Sequence, residues 1–347
     1  MISYFVVFTI GLIFSLLFTP IAKQLAVKFN ILDKPGERKI HDKPIPLTGG
    51  IAIYFAFIGS FWLSGADVRE LLGIAGIGLL FILFGLLDDA GIKVRARYKI
   101  WSHLAFSFIF VLVTGISFNL FRIDIINWVL VACFITFMTN SMNMLDGMDG
   151  LVTGVGFIAS IFLCILAMNN NQPSLALIAL ALAGASLGFL RYNFNPASIF
   201  LGEGGSTLMG FLLAVISLKL NIFKLWNIAL ILNIPRVQFI SFVVPLIILG
   251  IPIFDTCFVF VNRFLHHIKM STAGKDHSHH RIHLMGFSQK MTVLTLYAVQ
   301  MILGAIALSM INANFQQFIS LLLILAIMTA FAWAFLLRVK VYSSRDV

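Results

Sequence analysis

Residues 151–168 form an apolar run of eighteen positions without one charged side chain. A helix needs about that length to cross the hydrocarbon core of a bilayer. The chain repeats the pattern along its whole length. Eleven runs are read, at roughly 2–21, 48–64, 72–88, 100–118, 127–143, 151–168, 174–191, 205–221, 239–261, 291–311 and 317–337. They are too long and too evenly apolar for barrel strands. A soluble protein carries about 25% charged residues; this one has 11%, and 60% hydrophobic, over 347 residues. The expected fold is an all-α polytopic membrane protein with about eleven transmembrane helices, forming a single integral membrane domain over 1–347. Few basic residues and no small-residue cleavage site accompany the first run, so it reads as a retained span and not a signal peptide.

Charge orders the loops. With eleven spans, the connections 22–47, 88–99, 140–150, 192–204 and 262–290, and the tail after 337, share one side. That side holds 19 of the 24 Lys and Arg. Basic loops stay cytoplasmic, so it is read as the cytosolic face, with the N-terminus outside and the C-terminus in the cytosol. Of the 14 acidic residues, 11 lie there too, leaving Asp67, Glu70 and Asp124 opposite. Basic loops mixed with carboxylates at helix ends point to anions bound through a metal. On the other face, Ile222 to Gln238, with Lys224, Trp226, Pro235 and Arg236, reads as a short interfacial helix. Cys133, Cys164 and Cys257 all fall inside apolar runs and read as buried small hydrophobes.

The richest polar stretch is Asn140-Ser-Met-Asn-Met-Leu-Asp-Gly-Met-Asp-Gly-Leu151. Asn140, Asn143, Asp146 and Asp149 recur every three residues, which on a helix makes one slowly drifting stripe. Gly147 and Gly150 would let the helix end and let a ligand approach the backbone. A polar turn needs only two or three such residues and no strict spacing. The stripe suits a divalent cation and a phosphorylated substrate.

Four more clusters fall on the same side. Asp88-Asp89 ends a span and is followed by Lys93, Arg95, Arg97 and Lys99; adjacent carboxylates either cap the helix or serve as metal ligands and bases. The loop from Asp33 to Gly50 offers Arg38, Lys39, His41 and Lys43 to phosphate along a path fixed by Pro and Gly. Between Arg191 and Ser206, Asn193 can meet a base edge, Phe200 can stack on a ring or anchor at the interface, and Glu203 can complete a metal site. Asp255 lies within an apolar run, and Lys275-Asp-His277-Ser-His279-His280-Arg281 follows. With oxygen ligands elsewhere, the His block reads as a diphosphate clamp in preference to a zinc site.

These blocks resemble the polyprenyl-phosphate N-acetylhexosamine-1-phosphate transferases, and within them the WecA/TagO branch. The match is carried by Arg38-Lys-Ile-His41 with Pro46-Leu-Thr-Gly-Gly50, Asp88-Asp89, Asn140 to Leu151, Asn195-Pro-Ala197, Gly202-Glu-Gly-Gly-Ser206, Pro252-Ile-Phe-Asp255 and His277-x-His-His-Arg281. The resemblance implies transfer of N-acetylglucosamine-1-phosphate from UDP-GlcNAc to undecaprenyl phosphate, with release of UMP, in a bacterial plasma membrane. This would initiate a cell-envelope polysaccharide. The implied cofactor is Mg²⁺, with Mn²⁺ as a substitute. The implied partners are the nucleotide sugar, the lipid phosphate and membrane lipid, with a homodimer as an option and no nucleic acid. Asp88, Asp89, Asp146 and Lys99 match the catalytic groups, and Asn143 and Glu203 the metal ligands. Lys43, Asp149, Asn193 and Phe200 match the nucleotide site, and His277, His279, His280 and Arg281 the groups near diphosphate and sugar. The family's usual Asp is replaced by Glu203.

The sister branch, which transfers phospho-MurNAc-pentapeptide, is the alternative within the family. A lipid or solute transporter is the alternative outside it, and would need ionisable groups near the bilayer midplane. A CDP-alcohol phosphotransferase is excluded, because Asp146-Gly-Met-Asp-Gly-Leu lacks its Ala-Arg pair.

Overall fold

The computed structural model describes residues 4–35, 43–64, 68–118, 121–234, 237–270, 272, 274–339 and 341. Arg38, Lys39 and His41 of the first loop, and Pro235 and Arg236 of the interfacial segment, lie outside them. The described chain is almost all helix: α1 Tyr4–Lys28, α2 Gly49–Leu63, α3 Val68–Asp89, α4 Ala96–Thr114, α5 Asp124–Leu145, α6 Leu151–Asn169, α7 Pro173–Asn193, α8 Gly202–Lys219, α9 Trp226–Ile231, α10 Val237–Ile248, α11 Gly250–Leu265, α12 Ser278–Leu284, α13 Gln289–Met310 and α14 Phe315–Leu337. A minimal antiparallel pair, β1 Leu32–Asp33 with β2 Ile45–Pro46, is the exception.

Among the described residues eight helices are long and apolar enough to cross a membrane, or up to ten if each of two bent pairs counts as one span. The short apolar helix α2 stands beside them. An apolar surface fits that reading: Ile324, Ile327 and Phe331 of α14 are exposed. Lipid tails solvate such side chains as well as a core does. Cys164 is buried as expected, but Cys133 and Cys257 are exposed, so burial was the wrong expectation for those two. The interfacial stretch forms a 3-10 turn, Phe223–Leu225, and the six-residue α9, with Phe223, Trp226, Leu230 and Ile231 exposed.

Helix α8 is the centre of the bundle. From Gly204 to Ser217 every residue is buried. It reaches that position through small residues: a Cβ at Gly85 would run into the backbone of Gly204, and one at Gly50 into Gly205. With lipid offering no hydrophobic advantage to helix association, close backbone packing supplies the attraction. The glycines after Leu201 therefore seat α8 directly against α2 and α3.

The run at 239–261 is not one straight helix. α10 and α11 meet at 83°, after Ile248. The break frees backbone carbonyls, and buried Gln300 of α13 donates to the Ile248 carbonyl at 2.6 Å. An apolar environment tolerates a broken helix only where such partners exist.

Candidate active site

Six separate segments meet at one end of the bundle around a cavity of about 1460 Å³. Its walls include Asp88 and Asp89 from α3, Asn143 from α5, and Asp146 and Asp149 from the α5–α6 loop. Asn195 and Phe200 come from the α7–α8 connection, Glu203 from the first turn of α8, Lys275 and His280 from around α12, and Gln289 from α13. Carboxylates dominate the side given by α3, the α5–α6 loop and the start of α8. Such a concentration of like charge is unfavourable without a cation.

The two adjacent acids behave differently. Asp88 pairs with Lys99 Nζ at 2.9 Å and accepts the Val94 N–H at 3.3 Å. Asp89 accepts the N–H of Glu203 at 2.9 Å and that of Gly204 at 3.4 Å. These donors are the otherwise unpaired amides that open α8, so Asp89 caps that helix from another element. Gly202, at φ 78°, leaves room for the carboxylate: a Cβ there would press on Asp89 Oδ2. Lys99 also bonds Glu203 Oε2 at 2.5 Å. Glu203 Oε1 is buried and has no hydrogen-bond partner among the described residues.

The three-residue stripe does not stay on one helix. α5 ends at Leu145, and Asp146 takes a non-helical ψ of 59°. Asn140 turns inward to His103 Nδ1, 3.2 Å away, and the Thr136 carbonyl, 2.7 Å away; it does not line the cavity. Asn143 Oδ1 accepts from the Ser206 hydroxyl at 3.1 Å. Asp146 opens into the cavity and reaches solvent through it, yet protein surrounds it. That enclosure, then the neighbouring Asp89 and Asp149, push its carboxyl up to about 8. Asp149 accepts from Asn195 Nδ2 at 3.1 Å and the Ala197 N–H at 2.9 Å. Asn195 in turn donates to Gln289 Oε1 at 2.9 Å. Gln289 carries no motif that would single it out in the sequence.

Phe200 is held by its backbone. Its N–H donates to the Pro46 carbonyl at 2.8 Å, and its own carbonyl accepts from Gly49 at 3.0 Å. The Pro-Leu-Thr-Gly-Gly segment thus fixes the ring against the cavity. Asn193 is a brace: it is buried, accepts from the Thr153 hydroxyl at 2.8 Å and donates to the Ile199 carbonyl at 3.0 Å. Lys43 is exposed and is not among the residues lining the cavity.

The His block divides, which corrects the expectation of one diphosphate clamp. Only His280 lines the cavity, joined by His283 of the same short helix. Burial, with His277 beside it, pulls the His280 ring down to about 4, so it is neutral at pH 7. His277 Nδ1 lies 2.7 Å from Asp255, whose other oxygen accepts from the N–H and hydroxyl of Ser278. Asp255 is therefore the anchor of α12. Arg281 is buried and faces away: it donates to the carbonyls of Asp276, Leu336 and Val339 and lies over the Phe258 ring. It ties α12 to the end of α14. His279 is fully buried, and a Cβ at Gly147 would collide with its Nε2. Burial holds its pKa well below the usual range, so the ring is a neutral wedge behind the acidic loop.

Two donor sets bear on a metal. Asp255, His277 and His279 bring one ligand atom each within 4.8 Å of one another, but Asp255 already satisfies both oxygens on His277 and Ser278. The cavity set is the better fit to a hard divalent cation: it is all oxygen, and Glu203 Oε1 is a buried acceptor with no donor among the described residues.

The sequence profile of glycosyl transferase family 4 matches residues 71–221. A Bacillus subtilis protein described as a probable undecaprenyl-phosphate N-acetylglucosaminyl 1-phosphate transferase is 32% identical over 337 residues, covering 94% of this chain and 90% of its own. The chain belongs to glycosyl transferase family 4. Other members are similar over most of their length. The undecaprenyl-phosphate alpha-N-acetylglucosaminyl 1-phosphate transferase of Escherichia coli K12 is 26% identical, with 94% of this chain and 89% of its own covered. The decaprenyl-phosphate N-acetylglucosaminephosphotransferase of Mycolicibacterium smegmatis is 28% identical, with 79% and 74% covered. The matched profile spans α3 to the end of α8, the segment that supplies Asp88, Asp89, Asn143, Asp146, Asp149 and Glu203.

Proposed function

We propose that this member of the family transfers N-acetylglucosamine-1-phosphate from UDP-GlcNAc to undecaprenyl phosphate, yielding undecaprenyl-diphospho-GlcNAc and UMP. The observation that carries the reading is the convergence of Asp88, Asp89, Asn143, Asp146, Asp149 and Glu203 on one cavity with Phe200, Lys275 and His280 on its walls. The relatives' activities and near-complete coverage support it.

The proposed topology has eleven spans: the eight long helices, the two bent pairs and α2. The cavity then faces the cytosol of a bacterial plasma membrane, where the nucleotide sugar is made and the lipid phosphate is exposed. The excess of Lys and Arg in the loops on that side supports this orientation. Asn143, Asp146 and Glu203 would hold a divalent cation, Mg²⁺ by preference, with Asp149 nearby. When bound, the cation neutralises diphosphate charge and stabilises the departing UMP.

The protein's own groups do the rest by position and charge. Asp88 and Asp89 orient the acceptor phosphate, whose oxygen attacks the β-phosphorus of the donor. The bond to the UMP oxygen breaks, and UMP leaves as an anion that Lys275 and the cavity donors can meet. Phe200 offers a face for the uracil, and Asp149, held rigid by Asn195 and Ala197, offers an acceptor for a uracil N–H. Asn193 lines the cavity too, with its amide engaged by the Thr153 hydroxyl and the Ile199 carbonyl, so it steadies that loop.

The test is incubation of purified protein with undecaprenyl phosphate, Mg²⁺ and, in turn, UDP-GlcNAc, UDP-GalNAc or UDP-MurNAc-pentapeptide, with UMP measured. UMP from UDP-GlcNAc supports the assignment. UMP from the pentapeptide donor alone would move the chain to the sister branch.

A further inference from the structure

Lys99 has an unusual pair of partners. Its ammonium lies 2.9 Å from Asp88 Oδ2 and 2.5 Å from Glu203 Oε2, so one cation bridges a carboxylate of α3 and one of α8. Its side chain is only 18% exposed, and that of Glu203 only 9%. Glu203 leaves its second oxygen buried and without a hydrogen-bond partner among the described residues. A carboxylate held by one oxygen, with the other unsatisfied, is half-compensated. The lysine thus occupies part of the space and charge that a divalent cation would take.

Chain length at position 203 makes the contact. The family resemblance expects Asp there; Glu203 is one methylene longer and extends from a helix start whose N–H is pinned to Asp89. The backbone is fixed at that end, so the added reach carries the carboxylate to Lys99. Lys99 itself is not among the residues lining the cavity; of those that are, Lys93 is exposed and forms neither of these contacts.

We infer that Lys99 is the internal counter-ion of the metal site: it competes with the divalent cation for Glu203, and metal binding releases its ammonium from that carboxylate. The inference rests on the proposed reading of Glu203 as a metal ligand. It gives Lys99 two successive arrangements. Before metal binds, it neutralises two acids that would otherwise repel. Afterwards the metal carries that charge at Glu203, and the flexible four-carbon stem lets the ammonium withdraw. No bond is made or broken in the exchange; one ion replaces another.

The competition is measured without turnover, by titrating the detergent-purified, metal-free full chain with Mn²⁺ alone and following free Mn²⁺ by electron paramagnetic resonance. Lys99→Met removes the competing ammonium and keeps the stem, so Mn²⁺ should bind about tenfold more tightly than to wild type. Lys93→Met removes an equal charge from the cavity wall without touching either carboxylate, and should change the affinity less than about threefold. If Lys99→Met elutes as aggregate, Lys99→Gln gives the same readout. Unchanged or weaker Mn²⁺ binding in the Lys99 variant overturns the inference, as does an equal gain in both lysine variants. Glu203→Gln separates this from the parent reading. Wild-type Mn²⁺ affinity in Glu203→Gln would remove Glu203 from the metal site altogether. Loss of Mn²⁺ binding there, with no gain in Lys99→Met, would retain Glu203 as a ligand and discard only the exchange.

Discussion

Asp89 accepts the backbone N–H of Glu203 at 2.9 Å, so one acid of the adjacent pair sets the position of the helix that carries the candidate metal ligand. Asp88 has no such role and pairs with Lys99. The two acids should therefore respond differently to the same change. Asp89→Asn can turn an amide N–H toward a donor N–H, at a cost of about 1–3 kcal/mol in the seating of α8. We expect turnover to fall by tenfold or more and the melting temperature to drop, with UDP-GlcNAc binding largely kept. Asp88→Asn should lower turnover with little change in melting. Steady-state kinetics and calorimetry check this; equal melting losses in both variants would contradict it.

Gly147 and His279 are complementary in shape. A Cβ at Gly147 would collide with the buried ring, so Gly147→Ala must push the Asp146–Asp149 loop or the ring aside. Overpacking of this kind costs about 1–3 kcal/mol. Gly147→Ala should lose roughly tenfold or more in activity, and adding His279→Ala should recover part of it. A double variant no better than Gly147→Ala would mean the collision is not the cause.

Arg281 and His280 are adjacent in sequence but face different surroundings. Arg281→Ala strips donors from the Asp276, Leu336 and Val339 carbonyls and should cost about 3 kcal/mol of stability. Its folded fraction should keep a wild-type KM for UDP-GlcNAc. His280→Ala should leave melting nearly unchanged and raise KM or lower kcat. A raised KM in folded Arg281→Ala would return Arg281 to the substrate site.

Asp146 ties metal binding to pH. Held up near 8, it keeps a proton in the metal-free folded protein that the unfolded chain gives up near pH 4. The stability this adds is complete below about pH 4 and is lost as pH rises through about 8. Solvent reaches Asp146 through the cavity, so screening makes the effect smaller than full burial would. In EDTA the melting temperature should fall from about pH 5 to about pH 8.5, and Asp146→Asn should flatten that slope. An identical slope in the variant would contradict the assignment.

The spans were legible because an uncharged run of eighteen residues such as 151–168 has few alternatives. The bend after Ile248 left a mark that an apolar reading passes over: Pro245 and Pro252 flank it, and Pro252 has no N–H to give the Ile248 carbonyl, which Gln300 satisfies instead. Asp88, Asp89, Asp146, Asp149 and Glu203 were recognisable as site candidates because a carboxylate at a helix end beside a membrane needs a reason. His277, His279 and Arg281 misled for the same reason. Residue type could not separate a side chain that lines the cavity, as His280 does, from its neighbours that hold α12 to α11 and α14.

The proposed transfer breaks the bond between the two donor phosphates and moves the β-phosphate to lipid. UDP-GlcNAc labelled with ³²P at the β-phosphate, incubated with the purified protein, undecaprenyl phosphate and Mg²⁺, tests this directly. Label should enter the organic-extractable lipid with unlabelled UMP in equal amount, and neither product should form in EDTA or without the acceptor. Label remaining in aqueous UDP, or UMP released without the lipid acceptor, would contradict the proposed transfer.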